Sequence, residues 1–300
     1  MRRRGPGVTL MEFHLFLPQM RLSPEDLVGR AQAAERAGFS GLALMDHLSP
    51  PLADGQPMFE AITTATWLAA HTTSLTIGHL VLCDGFREPS VLARQLVSLD
   101  HFSGGRAELG IGSGSVPEEL TTFGIDEGTP ASRIRRLGET MEVVSRLWTG
   151  DAIDYDGEFH HLAGARQLPV PTRPIPVVIG GTGPRTMELV ARYADWWNIP
   201  GHQSDRLEVM REKAGRARIS MQQVVTMITD EASRSETEQA ADRRFGWMSS
   251  RAVGSGAQLA EHFARLEERG VERAYAWFTD FAVPDTLERF GDEVISTLGA

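Results

Sequence analysis

The sequence predicts an α/β protein, specifically a (β/α)8 barrel carrying insertion segments. Short apolar runs alternate with amphipathic stretches along the chain, and eight such pairs follow one another. Three of the strand ends open into small or ligand-type residues: Met45-Asp46-His47, Gly110-Ile111-Gly112-Ser113-Gly114 and Ile179-Gly180-Gly181-Thr182-Gly183. Barrels of this kind keep their chemistry where strands leave the core, so three such exits imply one shared site.

Strands are expected at 10–17, 41–45, 75–82, 107–111, 176–179, 196–199, 224–228 and 274–278. Most are short apolar runs, the pattern of parallel strands buried on both faces. Helices are expected at 24–37, 58–72, 89–101, 132–148, 184–193, 204–217, 256–269 and 284–297. Ser23-Pro24-Glu25-Asp26 carries a cap, a first-turn proline and acidic residues, while Gly38 and Gly270 stand where helices stop. Two insertions interrupt the rhythm, at about 151–175 and about 230–255. In the first, residues 153–160 alternate around Asp156-Gly157 as a hairpin, and a Pro-rich extended run follows to Pro176. The second is polar and charge-rich, an extra helix or a mobile lid. No linker separates two apolar cores and no repeat occurs, so 1–300 reads as one domain.

Composition narrows the function classes. A formal charge of −10 argues against a nucleic-acid partner, and Arg2-Arg3-Arg4 reads as a solvated terminus. The apolar run at 8–17 is broken by Glu12 and His14 and followed by Pro18, so it reads as a core strand rather than a secretory signal. No window approaches the roughly 18 to 20 apolar residues of a membrane span. Cys83 is the single cysteine, which excludes an intrachain disulfide or a cysteine metal cage and fits a reducing cytoplasm. Lys213 is the single lysine and lies in a polar helical stretch, so Schiff-base chemistry is discarded. His160 and His161 are neighbours in a strand and point to opposite faces, and no metal site is expected.

Asp46-His47 at a strand end could place a proton carrier and a ring-binding carboxylate at the mouth; the alternative is a loop cap beside an exposed histidine. Gly180-Gly181-Thr182-Gly183-Pro184 reads either as an anion cradle at a helix start or as a tight turn, and it lacks the Lys-Ser/Thr ending of a nucleotide P-loop. Gly110 and Gly112 make half of a dinucleotide fingerprint, with Ser115 where the third glycine would fall.

Together, several segments resemble the bacterial-luciferase-like flavin and deazaflavin oxidoreductases, and within them the coenzyme F420-dependent branch. The segments are Gly38-Phe39, Met45-Asp46-His47-Leu48, Phe59-Glu60, Phe86-Arg87-Glu88-Pro89, Leu99 through Arg106, Leu109 through Gly112, Glu119, Ile179-Gly180-Gly181 and Ala191 through Asn198. The resemblance covers about residues 10 to 200 and implies a luciferase-like TIM barrel holding an isoalloxazine-type ring at its mouth. It implies a non-proline cis peptide behind the ring at Leu80-Val81, Asp46 bonded to the ring, and His47 beside the hydride-bearing carbon. Gly114, Ser115, Gly180, Gly181, Thr182 and Gly183 would hold the phosphate-bearing tail. The implied reaction is hydride transfer between F420 and a small organic substrate. The alternatives are an FMN-dependent monooxygenase and a non-catalytic flavin- or deazaflavin-binding protein. Ser115 stands where the family's sugar-phosphate dehydrogenases place a glutamate proton donor, so sugar-phosphate oxidation is not expected. Pairing of helix faces in the family makes a homodimer the expected assembly.

Overall fold

The computed structural model describes residues 10–299 other than Leu52, Asp54 and Ser249. The arginine run at 2–4 and the start of the first apolar run lie outside the described residues.

In chain order the elements begin with β1 (Glu12–Phe16), α1 (Pro24–Arg36), β2 (Gly41–Leu44) and α2 (Ala61–His71). Next come β3 (Thr76–His79), β4 (Leu82–Cys83), α3 (Pro89–Ser103), β5 (Leu109–Gly112), α4 (Pro117–Thr122) and α5 (Pro130–Leu147). The hairpin β6 (Ile153–Asp156) and β7 (His161–Ala165) precedes β8 (Val177–Gly180), α6 (Pro184–Tyr193) and β9 (Trp196–Pro200). The chain then forms α7 (Leu207–Arg211), β10 (Arg218–Met227), α8 (Arg234–Phe245), β11 (Arg251–Gly254) and α9 (Gly256–Glu268). It ends with β12 (Arg273–Phe278), α10 (Pro284–Phe290) and α11 (Ser296–Gly299).

The main sheet runs β3-β2-β1-β12-β10-β9-β8-β5-β4, with parallel pairings throughout. β3 and β4 are two halves of one barrel strand, separated by a cis peptide between Leu80 and Val81, the position the resemblance implied. Ile77 bridges to Ala107 below β5, while Leu82 and Cys83 pair with Ile111 and Gly112, which joins the two edges of the sheet. The result is a parallel barrel of eight strands wrapped by helices. Gly110 makes this seam possible, because a Cβ there would stand 1.8 Å from the His79 carbonyl oxygen.

Local signals explain the helix boundaries. Ser23 and Asp26 exchange bonds in a capping box, as do Thr129 and Ser132, so the fifth helix starts two residues before the expected 132. The expected helix at 204–217 is instead a single α-turn region, α7, flanked by 3-10 turns at 201–206 and 212–214. β10 begins at Arg218, ahead of the apolar run at 224–228, because Ser220 and Gln222 face the barrel interior and carry polar side chains on a buried strand. The polar insertion at 230–255 holds α8 and a short β11 that pairs with β10.

Two apolar clusters result. The larger fills the layer between sheet and helices. The smaller lies inside the barrel and contains Phe16, Met45, Trp277 and Phe245. Beneath it, charge closes the barrel's N-terminal end. Arg273 bonds Glu12 at 2.8 and 3.0 Å and Glu108 at 2.6 Å, and the Tyr275 hydroxyl donates to Glu108 at 3.0 Å. The guanidinium carbons of Arg273 and Arg218 stand 3.8 and 4.0 Å from the Trp196 ring centroid, so two cations lie over one indole. Burial against Glu108 pushes the Tyr275 phenol well above its ordinary range.

Candidate active site

Every residue singled out from the sequence as a site candidate lines one cavity of about 430 Å³ at the C-terminal mouth. These are Asp46, His47, Leu80, Val81, Gly114, Ser115, Gly180, Gly181, Thr182 and Gly183. Segments more than a hundred residues apart in sequence therefore meet at one rim. Among the described residues, no group of His, Cys, Asp and Glu side chains is arranged to hold a metal ion.

His47 follows β2, and its Nδ1 lies 2.9 Å from Glu119 Oε2 on α4. Glu119 Oε1 accepts the backbone N–H groups of Leu48 at 2.5 Å and Ser49 at 2.8 Å. One carboxylate thus pins both the loop after His47 and the ring itself. With Nδ1–H donated to Glu119, Nε2 is the nitrogen left to exchange a proton with a molecule in the cavity. Sequence reasoning noted Glu119 only within a family pattern. Its tie to His47 joins residues 72 apart, and the only local signal was the helix start Pro117-Glu118-Glu119.

Asp46 is held differently. Its Oδ2 accepts the Cys83 N–H at 2.8 Å and Arg87 at 2.6 Å, and its Oδ1 accepts Arg87 at 2.9 Å. Arg87 also bonds Glu60 at 2.5 Å. The fork neutralises the buried Asp46 carboxylate and ties β2 to the strand segment after Val81. Burial raises the Glu60 carboxyl, but bonds from Thr63 and Arg87 outweigh it and pull it down to about 2. His79 sits behind this group, fully buried, and among the described residues neither ring nitrogen has a geometric hydrogen-bond partner; desolvation lowers it to about 4, so it is neutral.

The glycine exits supply bare backbone. Gly181 has φ +122° and Gly114 φ +86°, conformations that L side chains rarely adopt, and a Cβ at Gly114 would press on Cys83 Sγ at 3.0 Å. Among the described residues, the N–H groups of Thr182 and Gly183 meet no protein acceptor, and they precede Pro184, the first residue of α6. Free amides before a ten-residue helix are placed where an anion can be stabilised. Arg206 adds a cation that the sequence did not single out: it donates to the Thr182 hydroxyl at 2.7 Å, and Thr182 in turn reaches Gln203 at 2.7 Å. A flat ring with an anionic tail fits these residues: side chains at His47, Leu80 and Val81, then unadorned backbone and a positive end.

Fold and site together define a parallel barrel with a cavity at its C-terminal mouth beside a carboxylate-held histidine. The sequence profile of the luciferase-like monooxygenase family matches residues 10–290, and the chain belongs to that family. It is 32% identical to an uncharacterized protein of Mycobacterium tuberculosis over 62% of this chain and 71% of that one. It is 36% identical to an F420-dependent glucose-6-phosphate dehydrogenase of Gordonia bronchialis over 58% of this chain, and spans about half (51%) of that relative's length. Among solved structures, an F420-dependent secondary alcohol dehydrogenase with an F420-acetone adduct superposes with TM-score 0.80 at 18% identity, covering 96% of this chain and 99% of that one. A long-chain alkane monooxygenase superposes equally, with TM-score 0.80 at 15% identity over 97% and 91%. At these identities the structural likeness speaks to fold.

Proposed function

We propose that this chain is an F420-dependent oxidoreductase that moves a hydride between the deazaflavin and a small organic molecule, working as one barrel domain with insertions at about 151–175 and about 230–255. The observation that carries the reading is the His47–Glu119 pair facing the same cavity as the glycine cradle. When bound, F420 supplies or accepts the hydride. The chain's own residues do the rest. Glu119 fixes the imidazole so that Nε2 can hand over or collect the accompanying proton. Leu80 and Val81 provide an apolar face for a ring, and the amides of Thr182 and Gly183 with Arg206 receive an anionic tail. Arg87 holds Asp46 in place. The relationship to F420-dependent dehydrogenases supports F420 over FMN. Ser115, a hydroxyl where those enzymes' resemblance implies a carboxylic acid, supports a substrate other than a sugar phosphate. The single cysteine supports a reducing, cytoplasmic setting.

Titration of the protein with F420 and with FMN tests the reading. Micromolar quenching by F420 alone is expected; binding of FMN but not F420 would point instead to a flavin monooxygenase. His47→Gln should then keep F420 affinity and lower turnover by about a hundredfold. Full turnover in His47→Gln would remove the histidine from the chemistry.

A further inference from the structure

We propose that Asn198 and Gln222 form the specificity-determining wall of the cavity, gripping an uncharged carbonyl group of the substrate that is separate from the oxygen served by His47. For the reaction this rests on the functional reading above; for the binding it does not. Asn198 on β9 is 5% exposed, Gln222 lies on the neighbouring β10, and both line the cavity that holds His47. Asn198 pairs in register with Ser220, so Gln222 stands two residues further along the next strand. At about 3.3 Å per residue and about 4.8 Å between strands, their Cα atoms are roughly 8 Å apart, near enough for two side-chain amides to reach one small group. The Ser220 hydroxyl lies 3.2 Å from Asn198 Oδ1 and 3.2 Å from the Trp197 carbonyl oxygen. Donated to Oδ1, it orients the carboxamide and leaves Nδ2 with its protons unused. Among the described residues, neither Asn198 Nδ2 nor the Gln222 amide meets a protein partner. Nearby interior positions on the flanking strands are apolar, Val178 on β8 and Val224 on β10 being 0% and 1% exposed. A buried amide with idle donors opposes folding, and the barrel's packing gives no reason for one here.

Charge around this wall selects among ligands. No lysine or arginine is among the described residues that line the cavity. Of its carboxylates, Asp46 is held by Arg87 and Glu119 lies against His47. Arg206 stands behind Thr182, at the end assigned above to an anionic tail. A carboxylate or phosphate set against Asn198 therefore meets amide protons but no cation, too little to replace its hydration. A hydrocarbon group leaves those protons unpaired. A neutral carbonyl oxygen accepts them and has no charge to desolvate. The barrel also sets this oxygen apart from the proton carrier. Counting β3 and β4 as one, β2 is the second barrel strand and β9 the sixth, so His47 and Asn198 lie on opposite sides of an eight-stranded mouth. Val81 forms the floor between glycine exits: a Cβ at Gly112 would stand 2.8 Å from its Cγ2, and one at Gly180 3.7 Å from its Cγ1. The substrate class is thus an uncharged molecule with two oxygen functions. One is an alcohol or carbonyl whose carbon exchanges the hydride with the deazaflavin while its oxygen exchanges the proton with His47. The other is a carbonyl that stays unchanged at the far wall.

The test begins with the full chain without cofactor, so that a failure of F420 binding leaves its result intact. Three probes of similar outline are titrated: cyclopentanone, methylenecyclopentane and cyclopentanecarboxylate. Cyclopentanone should shift the side-chain amide proton resonances of Asn198 in a saturable manner, and the other two should not. Asn198→Leu should weaken cyclopentanone binding by about tenfold, and Gln222→Met by about threefold. Ser220→Ala frees the carboxamide to turn and should cut the preference for cyclopentanone over methylenecyclopentane by about threefold, a selectivity that a purely structural serine would not alter. Unmoved Asn198 resonances at saturating cyclopentanone, or equal affinity for the carboxylate, overturn the proposal. So does parent-like binding in Gln222→Met, a variant whose side chain gives up no protein partner and which decides the matter should Asn198→Leu fail to fold. In the F420-saturated chain cyclopentanone should still bind; F420 that itself shifts the Asn198 resonances and shuts cyclopentanone out would give this wall to the ring and overturn its assignment to substrate.

Discussion

The fork between Arg87 and Asp46 makes a quantitative prediction about what Asp46 is for. Asp46 is 3% exposed at its side chain and Arg87 11%, so this ion pair is desolvated. Arg87→Met removes two charge-assisted bonds, at 2.6 and 2.9 Å, and leaves the carboxylate with the Cys83 N–H alone. Breaking a buried pair by removing one partner costs about 3 to 5 kcal/mol, because the surviving charge stays buried. Loss of the bond to Glu60, which is 44% exposed, adds less than about 1 kcal/mol. Urea unfolding at neutral pH should therefore show a midpoint lowered by roughly 3 to 5 kcal/mol divided by the m-value, with m itself unchanged. Asp46→Asn alone should also destabilise, and the double variant should lose less than the sum, with a coupling of about 2 kcal/mol or more. An Arg87→Met cost below about 1 kcal/mol, or an additive cycle, would refute the view that Asp46 works as a clamp.

Three further outcomes are expected. Gly110→Ala forces a Cβ to within 1.8 Å of the His79 carbonyl oxygen, and calorimetry should show a loss of about 3 kcal/mol, whereas an unchanged Tm would mean the seam can open freely. Arg206→Gln should weaken F420 binding several-fold at low salt and leave binding of the tail-less ring compound unaltered in parallel calorimetric titrations; equal loss for both would remove Arg206 from the anion end. Burial pushes the Asp84 carboxyl up to about 6 despite the pull of Arg136, so its ionised form opposes folding. The sign follows: the penalty is absent below the unfolded value near 4, grows as pH rises through about 6, and reaches at most about 3 kcal/mol. Asp84→Asn should therefore exceed the parent in Tm at about pH 8 and lose that advantage by about pH 4, and a difference constant across pH would contradict the burial argument.

The barrel was legible because its strands are mostly apolar runs between capped helices. Where a buried strand carries polar side chains, legibility failed: Ser220 and Gln222 of β10 face the barrel interior, so the apolar reading began only at Val224. β11 is four residues long and has no periodicity to read. At the site, glycine exits and Asp46-His47 announced themselves by type and position. Glu119, Arg87 and Arg206 did not, since each acts through a partner 24 to 72 residues away and sits among other charged residues. Pairing of that kind depends on which residues the closed ring brings together, and no local pattern encodes it. The tie between Asp84's neighbourhood and the hairpin, through Thr140 and His160, was hidden for the same reason.

The ionic floor built by Glu12, Glu108, Arg218 and Arg273 has a kinetic meaning. With two guanidiniums stacked on Trp196 and four charged groups knitted across the N-terminal end, the described residues close that end of the barrel. Whatever enters at the rim departs at the rim, so a product must vacate the doorway before the next reactant passes. Turnover in such a vessel is expected to show product inhibition competitive with the incoming reactant, a signature a through-passage would lack.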